Sequence, residues 1–431
     1  MISRDINSFN AESMLYRSSY SEIERFIEED RCKEGKILII YGLRRTGKTT
    51  LMTCILESAK KILAGSCLEI VADDNGTQTL LDQNAESLDG ALIAGVFNAG
   101  SLEGTEETTI YDLILRINEL DALKFSFLDY PGGWLKARPM DWKIQCEPWL
   151  NDSNVLLIPI DSTVIMEAGK KQEYMAAVPS ILTIATINNV VRTWSKRKKA
   201  NNKPCYVILA PLKCETYMSD SGGNPLEDKL RDSVLQYYHE TVMIPFEEGA
   251  DVKVLYCPID TFGCVQLKKA NWSQGEDKRY RFSADFEIRN PKPVRIQKGA
   301  GDILIKICEL LLGLSGKSIK ENLQMEKYNL NGIEGTINEI SFKQENTDIL
   351  DSLLKPIMKL FGLSKDDFDE DAVLANKNEE MAQLQTKCND LFQRLRDVEA
   401  AIKEDILSKK MERMVECNIA AENNISTKQI D

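Results

Sequence analysis

The chain has 431 residues, of which 43% are hydrophobic and 28% are charged, and its formal net charge is −13. A chain of this length exceeds the usual size of one hydrophobic core, so we expect two or three folded units. The acidic balance argues against a nucleic-acid partner, because neutralising phosphate groups requires a basic face.

Residues 1–35 are a polar N-terminal lead-in with one helical stretch, Tyr20–Glu29, and no apolar signal region. No run in the chain is apolar enough for a transmembrane helix. The eleven cysteines include no Cys-x-x-Cys pair, and several lie in apolar runs, as reduced core cysteines do. We therefore expect a cytoplasmic protein without a transmembrane segment.

The segment 36–63 predicts a phosphate-binding loop. An apolar strand over 37–41 runs into the motif Gly-x-x-x-x-Gly-Lys-Thr, and helix-compatible sequence follows over 51–63. Glycines let successive N–H groups point at an anion, and the helix adds its positive end. The lysine supplies a charge for the outer phosphates, which also makes it a catalytic candidate, and the threonine offers a hydroxyl to Mg²⁺. The predicted nucleotide-binding residues here are Gly42, Arg44, Arg45, Thr46, Gly47, Lys48, Thr49 and Thr50.

Two arginines lie inside this loop. An arginine supplied in cis stabilises charge that develops on transferred phosphoryl oxygens, so Arg45 is a candidate catalytic residue. The alternative is that Arg44 and Arg45 face solvent or an acidic partner surface.

An antiparallel hairpin is predicted next. The stretches 109–117 and 123–128 alternate apolar and polar residues, and five residues separate them. The second stretch ends in Asp129-Tyr-Pro-Gly132. An aspartate at a strand end beside a phosphate loop reaches Mg²⁺ directly or through water, and Gly132 can bring its backbone N–H to a γ-phosphate. Asp129 is therefore a predicted metal ligand and Gly132 a predicted catalytic residue.

The later elements alternate between strands and helices. Apolar runs at 155–160 and 206–210 predict parallel strands buried on both faces, and 252–256 is a third candidate. Helical patterns at 180–199 and 226–244 lie between them. Residues 36–300 are therefore expected to form an α/β fold of the P-loop NTPase class, with a mostly parallel sheet, one antiparallel hairpin and helical insertions.

Residues 301–431 predict an α-helical C-terminal region. Helical patterns occur at 302–312 and 349–361, and the stretch 371–417 contains neither glycine nor proline. Within it, apolar residues from Met381 to Ile402 recur at steps of three and four. They predict either the seam of a coiled coil or helical arm, or a helix packed along its own domain. A second copy of the chain, or a protein partner, is expected to bind through these helices.

These motifs carry a family resemblance. The glycine–lysine loop, the hairpin and the string Asp-Tyr-Pro-Gly-Gly-Trp-Leu at 129–135 resemble the translation-factor-related (TRAFAC) GTPases. Within that class they look most like the YcjX-like proteins and the paired double-GTPase proteins of bacterial conflict systems. The resemblance covers residues 36–300. It implies GTP as the substrate, with ATP as the alternative, and Mg²⁺ as the cofactor.

The resemblance also implies three further site residues. A threonine before the hairpin would close on Mg²⁺ when the γ-phosphate is present, and Thr105 occupies that position as a metal-binding and catalytic candidate. The base-reading motif corresponds to residues 212–215, although Leu212 replaces the usual Asn or Thr and Glu215 replaces aspartate. Lys213 would stack along the base, and Glu215 would accept hydrogen bonds from guanine.

Several functions remain open on this basis. The favoured one is a GTP-hydrolysing switch or mechanochemical GTPase whose helical tail reports the nucleotide state. An ATPase of the AAA or signal-transduction (STAND) type has a similar phosphate-loop sequence. Such enzymes carry paired acidic residues after a strand, whereas here Tyr130 follows Asp129. The third alternative is a non-hydrolysing nucleotide-binding scaffold, and a small-molecule kinase is a weaker fourth.

Overall fold

The structure is a computed structural model. It describes residues 36–40, 47–92, 97, 108–129, 147–199, 204–289, 293–345, 370–419 and 425–430. These residues divide into two compact units. The first, called the sheet unit, comprises the described residues as far as Leu311 together with those from Asp405 onward, and the second, called the helical unit, comprises Leu312–Glu404.

The strands of the described residues are numbered in chain order. They are β1 (Lys36–Ile40), β2 (Leu68–Ala72), β3 (Thr109–Ile117), β4 (Leu120–Asp129), β5 (Val155–Asp161), β6 (Cys205–Leu212), β7 (Val252–Tyr256), β8 (Val265–Gln274), β9 (Tyr280–Ile288), β10 (Val415–Ile419) and β11 (Ile425–Gln429).

The α-helices are numbered in the same way. They are α1 (Lys48–Ile62), α2 (Asn75–Gly90), α3 (Glu147–Asp152), α4 (Ser162–Met166), α5 (Gln172–Ile181), α6 (Ile184–Lys198), α7 (Glu227–Tyr237), α8 (His239–Glu247), α9 (Ala300–Glu345) and α10 (Glu370–Ala400). Two short 3₁₀ helices, Glu215–Tyr217 and Ser219–Ser221, follow β6, and a π-helical turn, Ala401–Ile406, follows α10.

A mixed sheet forms the centre of the sheet unit, in the order β11-β10-β7-β6-β5-β1-β4-β3-β2. The five strands from β7 to β4 in this order are parallel to one another. On either side the sheet continues with antiparallel strands, β3 and β2 beyond β4, and β10 and β11 beyond β7. A separate antiparallel pair is formed by β8 and β9.

This sheet corrects the predicted fold class, a P-loop NTPase fold with a mostly parallel sheet, one antiparallel hairpin and a helical C-terminal region. Among the described strands of the main sheet, as many neighbouring pairs are antiparallel as are parallel. The loop that would define the class, 41–46, lies outside the described residues. The structure is therefore an α/β fold with a mixed sheet, small antiparallel additions and a helical unit near its C-terminal end.

The central strands follow from their composition. Every residue of β6 is buried, and all of β5 except its last residue is buried. Strands covered on both faces need apolar side chains at every position, which the continuous runs supply. The runs predicted at 155–160, 206–210 and 252–256 are thus confirmed as strands of the parallel part of the sheet.

The predicted hairpin is also present, with a tighter turn than expected. β3 and β4 pair antiparallel, and only Asn118 and Glu119 connect them. Their φ angles are 50° and 68°. Two residues with positive φ twist the chain in the sense that matches the strands, which is why two-residue hairpin turns favour this geometry.

The two predicted long helices are each broken. The pattern at 180–199 becomes the end of α5 and the whole of α6, because Thr183 takes a left-handed φ of 52° between them. The pattern at 226–244 becomes α7 and α8, with a break at Tyr238.

The predicted helix 371–417 is wrong in its last part. α10 ends at Ala400, and residues 415–419 form β10, which pairs with β7. The carboxylate of Asp302 accepts hydrogen bonds from the backbone N–H groups of Arg413 (2.7 Å) and Met414 (2.9 Å). These N–H groups are therefore withdrawn from helical pairing just before the strand begins, so tertiary contacts override the local helix preference.

The helical unit contains the part of α9 from Leu312 onward and the whole of α10. These two helices run antiparallel. An added Cβ at Gly316 would lie 3.4 Å from Cγ1 of Val398, and ion pairs join Lys320 to Glu399 and Lys387 to Glu326. The predicted seam positions are buried or half-buried, namely Met381, Leu384, Cys388, Leu391, Leu395, Val398 and Ile402. The periodicity is confirmed, because these positions are buried or half-buried within one chain, and α9 packs against Val398 and Leu395.

Some predictions fall on other parts of the chain. The lead-in 1–35 with its helical stretch, and the amphipathic pattern 349–361, lie outside the described residues. Within the described residues, no single helix is long and apolar enough to cross a membrane. One pair bent by 42°, α5 with α6, passes that test by length and composition only.

Candidate functional site

The candidate site lies where the five parallel strands end. Strands that run in the same direction place their carboxyl ends at one edge of the sheet, where open α/β sheets bind ligands. β4 ends here with Asp129, β5 with Asp161 and β6 with Leu212. β1 leads from the same edge into the predicted phosphate-binding segment, because it lies between β4 and β5 and is parallel to both.

Gly47 begins the phosphate side of this site. It precedes α1 with φ 86° and ψ 32°, a left-handed conformation that residues with a Cβ rarely adopt. An added Cβ would lie 3.2 Å from Cδ1 of Leu212. The start of α1 is therefore packed against the end of β6.

Lys48 and Thr49 occupy the first turn of α1. The N–H groups of such a turn have no partner within the helix and carry a partial positive charge, which favours an anion. Lys48 is 6% exposed, and Thr49 and Thr50 are half-buried. Burial lowers the pKa of the Lys48 ammonium, and the charge of Asp129 opposes that effect.

One hydrogen bond in the site joins α1 to β4. The hydroxyl of Thr49 donates a hydrogen bond to Oδ2 of Asp129 over 2.5 Å, although 80 residues separate them in the chain. Asp129 is fully buried. A hydroxyl and a carboxylate side by side are hard oxygen donors of the kind that Mg²⁺ prefers.

These two oxygens fit the expected cofactor. In nucleotide sites Mg²⁺ takes one or two protein oxygens and completes its octahedron with waters and substrate phosphates. The described residues contain no group of three or more His, Cys, Asp or Glu side chains able to hold a metal ion. Thr49 and Asp129 are thus suited to a metal that arrives with a phosphate.

Other predicted residues on this side lie outside the described residues. They are Gly42, Arg44, Arg45, Thr46, Thr105 and Gly132. Their predicted roles stay predictions.

Lys213 lies directly after β6, close to the phosphate side. Its φ is 56°, unusual for a residue other than glycine. Its ammonium is 2.5 Å from Oδ2 of Asp161 and 6.0 Å from the centroid of the Phe286 ring. The other oxygen of Asp161 accepts from the N–H of Thr163 at 3.1 Å and thereby caps α4. Asp161, which sequence reasoning missed, thus holds the lysine expected to contact a base.

Glu215 has a placement that does not fit its predicted role as a guanine acceptor. It is 4% exposed, and its Oε1 accepts hydrogen bonds from the backbone N–H groups of Thr261 (3.1 Å) and Phe262 (3.2 Å). Burial raises the pKa of Glu215 from 4.5 to about 7, and the charge of Asp260 adds to the rise. Its carboxylate therefore joins the loop after β6 to the loop after β7.

Arg413 contacts the same two loops, and this role was not predicted from the sequence. Its guanidinium lies 2.8 Å from Oδ2 of Asp260 and 2.6 Å from Oδ1 of Asp220, and it also donates to the hydroxyl of Ser221 at 2.9 Å. Ser221 in turn donates to Asp260. A lone arginine in a helix-like stretch carries no signal of such contacts.

No protein-family model matches the chain, and no curated protein matches it significantly. The resemblance to TRAFAC-class GTPases therefore stays a prediction, and the site must be judged from its own residues.

Proposed function

We propose that this protein binds a nucleoside triphosphate together with Mg²⁺ at the ends of β1 and β4 and hydrolyses it. The observation that carries the proposal is the pairing of Thr49 with Asp129 beside the buried Lys48, at the start of α1. A buried ammonium, a helix N-terminus and two hard oxygen donors are together suited to a metal-bound polyphosphate and to few other ligands.

Each residue has a defined part in this proposal. Lys48 neutralises charge on the outer phosphates, and the first-turn N–H groups of α1 bind the inner ones. Thr49 and Asp129 hold the metal side of the complex. When bound, Mg²⁺ would neutralise charge that develops on the phosphate oxygens during hydrolysis.

The base of the nucleotide is a separate question. GTP is the substrate expected from the family resemblance, but the burial of Glu215 gives that preference no support. GTP and ATP are therefore compared in the same assay. A switch function, in which the helical unit reports the nucleotide state to a second copy or a partner, also belongs to this proposal.

The experiment measures binding and turnover of Mg²⁺–GTP and Mg²⁺–ATP by the wild type, Lys48→Ala and Lys61→Ala. Lys61 is an exposed lysine on the same helix, which makes it a matched control. We expect Lys48→Ala to abolish binding and Lys61→Ala to leave it unchanged. Binding without turnover in the wild type would instead favour a nucleotide-binding scaffold, and equal affinity of the three proteins would refute the triphosphate site.

The partner role has its own measurement. Because the seam positions of α10 are buried or half-buried within one chain, the seam itself does not require a second chain. Light scattering of the full chain with and without nucleotide tests whether the helical unit still mediates association. A nucleotide-independent monomer mass would remove self-association from the proposal.

A further inference from the structure

We propose that Arg413 is a positioning residue that sets the base-binding side of the nucleotide site, by holding the loops after β6 (213–226) and β7 (257–264) in one arrangement. The inference rests on the proposed function. It adds a residue from the far C-terminal end of the chain to a site otherwise built from β1 to β7.

The location of the base follows from the phosphate side. A nucleotide whose phosphates lie at the start of α1 extends along the edge of the sheet, and Leu212 packs against Gly47 at that point. Beyond the end of β5, which carries Asp161, the next strand ends along the edge are those of β6 and β7, as the strand order shows. The loops that follow these strands are therefore the surface that a base would meet.

Those loops are held by few groups, and Arg413 is central among them. The guanidinium contacts Asp220 and Ser221 of the β6 loop and Asp260 of the β7 loop, and it lies 3.4 Å from the backbone oxygen of Pro258. One side chain thus bonds both loops at once. The planar fork of a guanidinium allows this because its donors lie on three nitrogens, whereas the three donors of an ammonium all lie on one nitrogen.

Other contacts hold the same loops and limit what loss of Arg413 would do. Glu215 joins the two loops through the N–H groups of Thr261 and Phe262. Arg289 donates to the backbone oxygen of Glu215 at 2.5 Å, and Lys298 lies 3.5 Å from Asp220. Removing Arg413 is therefore expected to change the arrangement of the loops without unfolding the sheet.

Arg413 is also held through its backbone, by a residue of α9. Asp302 lies in the first turn of α9, and Arg413 lies two residues before β10. Asp302 accepts hydrogen bonds from the backbone N–H groups of Arg413 and Met414. The first turn of α9 is therefore bonded to the segment that carries Arg413.

The test compares three ligands with Mg²⁺ present: GTP, ATP and inorganic tripolyphosphate, which has phosphates but no base. The proteins are the wild type, Arg413→Lys, Lys48→Ala and Arg116→Lys, the last being a half-exposed arginine of β3 that pairs with Asp121. We expect Arg413→Lys to weaken binding of the preferred nucleotide about tenfold while tripolyphosphate affinity stays the same, since charge-assisted hydrogen bonds of this kind have about that effect. Arg116→Lys should change neither.

The outcomes separate this inference from the proposed function. If Arg413→Lys lowers the melting temperature but leaves the ratio of nucleotide to tripolyphosphate affinity unchanged, Arg413 is only structural and the inference is wrong. If the wild type binds none of the three ligands, or Lys48→Ala binds them equally well, the proposed function fails and the inference falls with it. Should Arg413→Lys not fold, Ser221→Ala removes one hydroxyl of the same network, and the same ratio is measured with a smaller expected change.

Discussion

The hydroxyl of Thr49 and the carboxylate of Asp129 lie 2.5 Å apart, which joins the first turn of α1 to the end of β4. The two residues are far apart in the sequence, and the parallel pairing of β1 with β4 helps to bring their elements together. A threonine after a glycine–lysine pair and an aspartate at a strand end were both predicted as metal ligands. Their proximity is what supports reading them as one site.

Asp129→Asn is expected to remove the Mg²⁺ dependence of nucleotide binding. Asparagine still accepts the hydrogen bond from Thr49, but it no longer supplies a negative charge to the metal side. Partners of metal-binding groups typically contribute about 10- to 100-fold in metal affinity. Calorimetric titrations with and without Mg²⁺ measure the effect, and Asp121→Asn, an exposed change on the same strand, is the control. If Mg²⁺ strengthens binding equally in Asp129→Asn and the wild type, the metal site lies elsewhere.

Gly47→Ala is expected to lower the free energy of unfolding by about 1–2 kcal/mol, because alanine is strained at a φ of 86°. The new methyl group would also press on Leu212 at 3.2 Å. Denaturant unfolding measures the loss, and triphosphate affinity should fall with it, since the start of α1 shifts. Gly90→Ala serves as the control: Gly90 is the last residue of α2, and an added Cβ there meets nothing within 4 Å. Equal stability of the two variants would contradict the left-handed conformation at Gly47.

Glu215→Gln is expected to be more stable than the wild type at pH 8 and equally stable near pH 4.5. The pKa of Glu215 is raised from 4.5 to about 7, so the folded state binds the proton more tightly than the unfolded state does. The contribution of Glu215 to stability therefore falls as the pH rises from 4.5 to about 7, and its full penalty remains above that. A shift of this size corresponds to about 3 kcal/mol. Glutamine keeps an oxygen that accepts from Thr261 and Phe262 but carries no charge.

Denaturant unfolding at several pH values measures this difference, with Glu69→Gln as an exposed control. The same variant tests base recognition. Because the Glu215 carboxylate is occupied by backbone N–H groups, we expect Glu215→Gln to leave the ratio of GTP to ATP affinity unchanged. A selective loss of GTP affinity would restore the guanine-reading role predicted from the sequence.

The contrast between Asp129 and Glu215 shows how far the sequence can be interpreted. Asp129 was predictable because a strand, a turn and a glycine–lysine loop each leave local signals, and the buried runs of β5 and β6 do the same. Glu215 was predicted to accept hydrogen bonds from guanine. Nothing in the local sequence reveals that the backbone N–H groups of Thr261 and Phe262 donate to its carboxylate instead. Arg413 and β10 were missed for the same reason: Asp302 and β7, which determine their conformation, lie far away in the chain.

The helical unit can be shortened in two ways that should have opposite results. Gly316 and Val398 are in contact, so replacing residues 317–397 by a short Gly/Ser linker joins neighbouring helices and keeps Arg413, β10 and β11. We expect this chain to fold and to bind triphosphate with unchanged affinity. Ending the chain after Asp371 removes Arg413 and both C-terminal strands, and the exposed edge of β7 and the unpaired charge of Asp260 should then lower stability. Thermal unfolding and triphosphate binding compare the two, and equal behaviour would show that the C-terminal strands are not part of the folded core.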